Sequence, residues 1–102
     1  MSVADPSGTN LVQISGPVTL YESNEVRETL LASLAMDHDV IFDLETSGPW
    51  DLSGLQLLLA AVVSGRRKGL TVRFVQVPKI CSEIADRSGL GDWLRERSDS
   101  LL

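Results

Sequence analysis

DLETSGPWDLSGL, residues 43–55, is the stretch that decides how this 102-residue chain folds. It joins a short β-branched apolar run at 40–44 to a longer apolar run at 56–63. The first run predicts a buried strand, and the leucine spacing of the second predicts a helix. Ser53 stands where that helix must begin, and Ser53 with Gln56 matches an S-x-x-Q capping box. A serine hydroxyl there can cap the helix, and it can also carry a phosphate, because free N–H groups and the helix dipole favour an anion.

Strand and helix patterns alternate along the rest of the chain. Apolar runs predict strands at 11–14, 40–44 and 71–77, and helical periodicity predicts helices at 23–37, 53–68, 78–87 and 92–97. Gly16-Pro17 is expected to break the first strand, and the second helix is expected to stop at Gly65 or just after Lys68. This order predicts an α/β fold in which helices pack against a single-layer mixed sheet, at least partly parallel.

Helical spacing also predicts which side chains face the core. They are Val26, Leu30, Leu31 and Leu34, then Leu55, Leu58, Leu59 and Val62, then Ile80, Ile84 and Ala85, and finally Leu90, Trp93 and Leu94. The first helix has two candidate N-caps. One is Thr19, with Glu22 three residues later, and the other is Ser23, which we favour.

Length, composition and charge narrow the classes of protein. The length suits one domain over 1–102, in which residues 1–9 form a loose lead-in and 5–10 read as a turn. A net charge of −5 argues against nucleic acid as the main partner. No apolar run approaches the roughly 20 residues of a membrane span, and the N-terminus lacks the features of a signal peptide. We therefore expect a cytoplasmic protein without direct membrane insertion.

No pattern for catalysis or cofactor binding is present in the sequence. His38 lies between Asp37 and Asp39, but neighbouring loop residues rarely converge on one ion, so we interpret them as solvated surface. Cys81 is the single cysteine and has no candidate partner for a catalytic pair. Nucleotide binding at the Ser53 helix end is physically possible but has no residue signature. We expect no enzyme activity, no cofactor and no metal site.

In order and spacing, several of these residues resemble a known family, the STAS domains of anti-anti-sigma factors and sulfate transporters. The matching positions are Gly16, the helix at 26–34, Asp43-Leu44, Asp51, Ser53-Gly54-Leu55, Gly69-Leu70-Thr71-Val72 and Ser88-Gly89-Leu90. Two positions depart from the family pattern: Leu52 replaces the first serine of D-S-S-G, and Thr19 stands where an early acid is common. The variant at 51–58 looks most like stand-alone STAS proteins of bacterial chemosensory systems.

The resemblance implies a function for Ser53. In bacterial regulatory members, the serine before that glycine is phosphorylated by a kinase that is also a binding partner, and phosphorylation releases the complex. The implied partner here is a histidine-kinase-like serine kinase acting as an anti-sigma factor, or a chemosensory protein. The alternative is a constitutive subunit of an ABC-type lipid or anion transporter, in which the hydroxyl is a contact only.

The predicted partner-binding residues surround Ser53 in sequence. They are Thr46, Ser47, Trp50, Asp51, Leu52, Ser53 and Gly54, of which 46–50 are expected to form a loop. For three of these residues, a purely structural role is an alternative to partner binding. Ser53 can be a plain helix cap, Asp51 can simply favour the helix N-terminus, and Trp50 can be a lid on the core instead of a partner anchor.

Overall fold

A computed structural model describes residues 2–4 and 8–99 of the chain. The strands are β1 (Ser2–Ala4), β2 (Asn10–Gln13), β3 (Gly16–Val18), β4 (Val40–Asp43), β5 (Ser47–Trp50), β6 (Val72–Val75) and β7 (Ser98–Asp99). The helices are α1 (Ser23–Leu34), α2 (Leu52–Arg67), α3 (Lys79–Arg87) and α4 (Gly91–Glu96), with a one-turn 3-10 helix at Leu20–Glu22.

The strands form a mixed sheet with the order β1-β2-β4-β6-β7. Strand β1 is antiparallel to β2, and every other pair in this sheet is parallel. Strands β3 and β5 form a second, two-stranded parallel sheet. The α/β class with a partly parallel sheet, predicted from the alternation of elements, is confirmed.

The core lies between one face of the large sheet and the helices. Val12, Phe42 and Phe74 occupy matching register positions on β2, β4 and β6, and all three are buried. The two phenylalanine rings stack with centroids 6.2 Å apart. Because side chains alternate along a strand, Leu11 and Ile41 project from the opposite face, where Leu11 is 40% exposed. The helices therefore cover the Val12–Phe42–Phe74 face.

The start of α1 corrects the predicted cap. Ser23 is the first residue of α1 and makes no capping bond; instead, Thr19 and Glu22 form a capping box around the 3-10 turn. The weaker alternative from the sequence is thus the correct one. The helix also ends at Leu34 and does not continue to Asp37, whose φ of +58° is left-handed.

Three predicted core positions are wrong. Leu31 and Ile80 are 46% and 42% exposed, and Leu59 is only half-buried. Ser33 and Cys81 are buried on α1 and α3. In α1 and α3 the side that faces the core is therefore next to the most hydrophobic side of the helix and does not coincide with it. As a result, a serine and a cysteine lie in the core. None of the helices described here has the combination of length and apolar content that a bilayer span needs.

Short strands account for most of the other differences from the sequence prediction. The predicted lead-in at 1–9 contains β1, while residue 1 and 5–7 lie outside the described residues. Gly16-Pro17 opens β3 instead of only ending a strand, and 47–50 form β5 instead of a loop. Strands of two to four residues show too little alternation to be visible in a sequence. Strand β6 stops before the predicted 76–77 because Gln76 has a φ of +54°.

Burial of Cys81 gives the stability of the protein a pH dependence. Burial raises the pKa of this thiol from 9.0 to about 12. The pKa of the thiol is higher in the folded protein than in the unfolded chain. The contribution of the thiol to the free energy of unfolding is therefore complete below pH 9 and decreases as the pH rises from 9 towards 12. We expect the stability difference between wild type and Cys81→Ala to shrink by up to about 1.4 kcal/mol per pH unit in that interval. Urea denaturation at several pH values measures it, and a constant difference would contradict the expectation.

Candidate functional site

The start of α2 directly follows β5 and contacts the end of β3. The Asp51 N–H donates to the Val18 carbonyl oxygen at 3.4 Å, so the last residue before the helix is joined to the end of the neighbouring strand. Crevices at the carboxyl ends of parallel strands are common ligand-binding and docking positions in open α/β folds. This junction is therefore the first place to examine for a functional surface.

Asp51, not Ser53, caps the helix. Asp51 has an extended backbone, and its Oδ1 accepts a hydrogen bond from the Gly54 N–H at 3.2 Å. Its Oδ2 accepts from the Leu20 N–H at 2.9 Å, which fastens the 3-10 turn to the start of α2. The predicted Ser53–Gln56 capping box is therefore wrong. Aspartate caps as well as serine does, and β5 carries extended backbone as far as Asp51, two residues before Ser53.

Ser53 is the second residue of α2 and is half-buried. Within the described part of the chain, its hydroxyl makes no hydrogen bond. The backbone N–H groups of Leu52 and Ser53 are also unpaired there, as expected for the first turn of a helix. A reactive hydroxyl and two free donors thus meet at the positive end of a 16-residue helix dipole.

Gly54 allows the helix to approach β3 closely. A Cβ atom placed on Gly54 would lie 2.8 Å from the Trp50 ring and 2.9 Å from Val18 Cγ1, and closer still to the Val18 carbonyl oxygen. Only a glycine fits this contact without a shift of strand or ring. The glycine that follows the serine therefore has a packing role that fixes the position of Ser53.

Trp50 and Ser47 belong to the support of the site. Trp50 is only 6% exposed, and its indole N–H donates to Ser47 Oγ at 2.9 Å. The Ser47 hydroxyl in turn donates to the Leu44 carbonyl oxygen at 2.6 Å. The predicted partner contact by Trp50, and likewise by buried Gly54, does not fit their burial, because a docking protein cannot reach them. Trp50 takes its alternative role as a core residue.

Thr46 lies at the other end of β5 from Ser53. It is exposed, and its hydroxyl forms a 2.7 Å hydrogen bond with the hydroxyl of Ser15. The extended strand between Thr46 and Asp51 separates this hydroxyl pair from the helix start. The structure therefore brings Asp51, Leu52 and Ser53 together but leaves Thr46 apart from them.

The sequence analysis missed exposed apolar side chains at Leu52 and on the 3-10 turn that Asp51 binds. Tyr21 is 93% exposed and Leu20 is 65% exposed, and the Asp51 carboxylate binds the backbone of their turn. Leu52, between Asp51 and Ser53, is 43% exposed. The only sequence signal for the turn was the Thr19–Glu22 capping box, which ranked second to Ser23. We call Leu20, Tyr21, Leu52 and Ser53 the α2-start surface.

His38 is exposed, as predicted. The described residues include no group of three or more acidic, histidine or cysteine side chains placed to hold a metal ion.

Replacing Asp51 and Ser53 separately distinguishes the cap from the free hydroxyl. We expect Asp51→Ala to lower the free energy of unfolding by about 1–2 kcal/mol, because two N–H groups lose their acceptor. Ser53→Ala should change it by less than about 0.5 kcal/mol. Asp51→Asn keeps one of the two acceptor oxygens, so its free energy of unfolding should lie between that of wild type and that of Asp51→Ala. A Ser53→Ala loss as large as that of Asp51→Ala, measured by urea denaturation, would show that the serine is the cap.

The fit around Gly54 predicts an unusual sign for an alanine substitution. In a helix interior, alanine is normally more favourable than glycine by about 1 kcal/mol. Here we expect Gly54→Ala to destabilise the protein by about 2–3 kcal/mol, because the new methyl group overlaps Val18 and Trp50. Gly89→Ala shows the cost of a left-handed φ of +78° without overlap, since no atom lies within 4 Å, and it should destabilise the protein by only about 1 kcal/mol. A stabilised Gly54→Ala protein would contradict the close contact.

Solved structures of low sequence identity share this fold. A putative anti-sigma factor antagonist from Thermotoga maritima has a TM-score of 0.79 at 10% identity, over 99% of this chain and 86% of that one. A sulfate transporter family protein from Wolinella succinogenes has a TM-score of 0.72 at 20% identity, over 91% of this chain and 77% of that one. The anti-sigma factor antagonist SpoIIAA in its unphosphorylated form has a TM-score of 0.71 at 14% identity, over 99% and 88%. Bacillus SpoIIAA in its phosphorylated form has a TM-score of 0.67 at 14% identity, over 99% and 91%.

At these identities the structural likeness establishes the fold, and no curated protein matches the sequence. The model of the STAS domain family, however, matches residues 1–100. That match covers nearly the whole chain and agrees with the resemblance found in residues 51–55. The chain therefore belongs to the STAS domain family.

Proposed function

We propose that the chain is a non-enzymatic regulatory module of bacterial signal transduction. It binds a partner protein through the α2-start surface, and phosphorylation of Ser53 releases the partner. The partner is a serine kinase of the histidine-kinase-like ATPase fold, acting as an anti-sigma factor, or a chemosensory protein. The observation that carries the proposal is a serine hydroxyl at a helix start that makes no hydrogen bond within the described residues and directly follows the exposed Leu52 and the Asp51 carboxylate that binds the 3-10 turn.

The exposed side chains supply the docking area. Tyr21, Leu20 and Leu52 are 93%, 65% and 43% exposed, so a partner can contact all three side chains. Tyrosine is enriched among the residues that dominate binding energy at protein interfaces. The Asp51 carboxylate holds Leu20 and the first turn of α2 in one unit, so the surface exists before a partner arrives. A preformed surface loses less conformational entropy on binding.

A phosphate on Ser53 is compatible with the folded domain. The unpaired N–H groups of Leu52 and Ser53 and the helix dipole favour an anion at this end. The phosphate adds about −1.5 to −2 charges next to Leu52 in the α2-start surface. The domain therefore keeps its fold, while a partner packed on Leu52 meets a hydrated dianion and dissociates.

The early position where the family often has an acid is held here by a threonine that binds an acid three residues on. Thr19 occupies that position, and its hydroxyl donates to Glu22 Oε1 at 2.5 Å, while its N–H donates to the same oxygen at 3.1 Å. The carboxylate of Glu22 is thus folded back onto Thr19.

A kinase assay followed by mass spectrometry tests the proposal. The protein is incubated with ATP and the histidine-kinase-like kinase encoded nearest to its gene, and the phosphate is mapped to a residue. We expect phosphate on Ser53, none on Ser53→Ala, and an unchanged yield on Thr46→Ala. The phosphorylated protein should bind the same kinase at least tenfold more weakly. Incorporation at another residue, or unchanged binding after phosphorylation, would reject the switch.

A second candidate is a constitutive subunit of an ABC-type lipid or anion transporter. The fold match with the Wolinella succinogenes sulfate transporter family protein favours it, as does the single hydroxyl that remains because Leu52 replaces a serine. In this case Ser53 contacts the partner without accepting phosphate. A complex with an ATPase subunit that survives treatment with kinase and ATP would then be isolated by co-purification.

A further inference from the structure

Helix α2 has an uncharged stripe, made of three apolar residues and one glutamine, along the side that its buried residues leave open. At about 100° per residue, its members fall within roughly 60° of one another; they are Leu52, Gln56, Leu59 and Val63. They lie opposite the buried residues Gly54, Leu58, Ala61 and Gly65, while the buried Leu55 and Val62 border the stripe on the Leu59 side. Leu52 is 43% exposed and Val63 is 41% exposed. A surface helix normally carries charged residues on this side, so the stripe is a candidate contact surface.

The two ends of the stripe carry opposite charges. Arg66 and Arg67 are exposed at its C-terminal end and form no ion pair with any described residue. This is unexpected in a chain with a net charge of −5, in which acidic groups are in excess. The other end carries the Asp51 carboxylate and no basic residue within 51–57. An occupant of the stripe should therefore be apolar in the middle, acidic at one end and basic at the other.

A second copy of α2 in the antiparallel direction has these properties. We propose that two copies of the chain pair through this stripe about a two-fold axis that passes between residues 59 and 60. In that register Leu52 faces Arg67 of the partner subunit, Gln56 faces Val63 of the partner subunit, and Leu59 faces Ala60 of the partner subunit. Both arginine clusters then lie against an Asp51 end, whereas a parallel pair would place like charges together. This inference does not depend on phosphorylation.

The pairing would be weak and would affect the α2-start surface. A 16-residue helix is about 24 Å long, and one stripe along it buries less than the roughly 800 Å² per partner of a standard interface. The expected dissociation constant is on the order of 10–100 μM. The second copy covers Leu52, so it competes with any other protein for that surface. If Ser53 is phosphorylated as proposed, its phosphate meets a guanidinium group of the second copy, which would favour the dimer.

Sedimentation equilibrium over protein concentrations from about 10 μM to 1 mM tests whether the dimer forms. Wild type should show a monomer–dimer equilibrium, and Val63→Glu should weaken it at least tenfold. Leu11→Glu is the matched control, because Leu11 is 40% exposed, against 41% for Val63, but lies on the other face of the sheet. Circular dichroism verifies that both variants fold. A protein that stays monomeric to 1 mM, or equal weakening by both variants, would overturn the proposal.

Charge reversal tests the contribution of the arginines. Arg66→Glu with Arg67→Glu should weaken the dimer at least tenfold. The control is Lys79→Glu with Arg87→Glu, which changes the net charge by the same amount at two exposed basic residues of α3, where Arg87 forms an exposed ion pair with Glu83. That control should shift the dissociation constant by less than threefold. Similar effects of the two double variants would mean that overall charge alone governs association, and would exclude the proposed pairing.

Disulfide cross-linking tests the direction of the helices. The double variant Gln56→Cys with Val63→Cys should form a covalent dimer under mild oxidation, because these positions face each other across the axis. Gln56→Cys alone should not, since Gln56 and its copy would be several residues apart. The native Cys81 does not interfere because it is buried. Efficient cross-linking of the single Gln56→Cys variant would indicate a parallel or non-specific contact and would overturn the antiparallel register.

Discussion

The two hydrogen bonds that the Asp51 carboxylate accepts are the interaction on which the rest of the site depends. The carboxylate accepts them from Gly54 on α2 and from Leu20 on the 3-10 turn, and so fixes two elements that are far apart in sequence. Gly54 completes the junction by letting the helix rest on Val18 and Trp50. The Asp51 cap and the close contact of Gly54 with Val18 and Trp50 together determine how far α2 lies from the strands and which of its sides faces them. Every exposed residue of the helix, including Ser53, takes its position from them.

Because Asp51 performs the capping, the hydroxyl of Ser53 has no structural task in the described part of the chain. Modifying a residue that caps a helix would cost the fold part of its stability, so a switch and a cap interfere with each other. Here the two tasks are divided between positions two residues apart. The division favours regulation at Ser53, because phosphate can be added or removed while the helix and its junction stay intact.

The sequence predicted the fold well where elements were long and poorly where they depended on pairing. The alternation of helices and the strands at 40–44 and 71–77 were strong enough to give the architecture, whereas β3 and β5 exist only because they pair with each other. At the site, the sequence located the helix start but assigned the cap to Ser53, since serine and aspartate cap equally well and only the path of β5 decides between them. Burial of Trp50 and exposure of Tyr21 depend on tertiary packing, which no local pattern contains.

One helix thus serves the core, the candidate switch and a candidate contact between copies. Its buried face is made of small residues and leucines that fit the sheet, and Leu52 and Val63 are left exposed on the other side. A partner that covers this side of the helix would remove both side chains from water. Ser53 lies at the edge of that surface. A charge added there would act on whatever covers the stripe, repelling an acidic or apolar partner and attracting one that presents arginines.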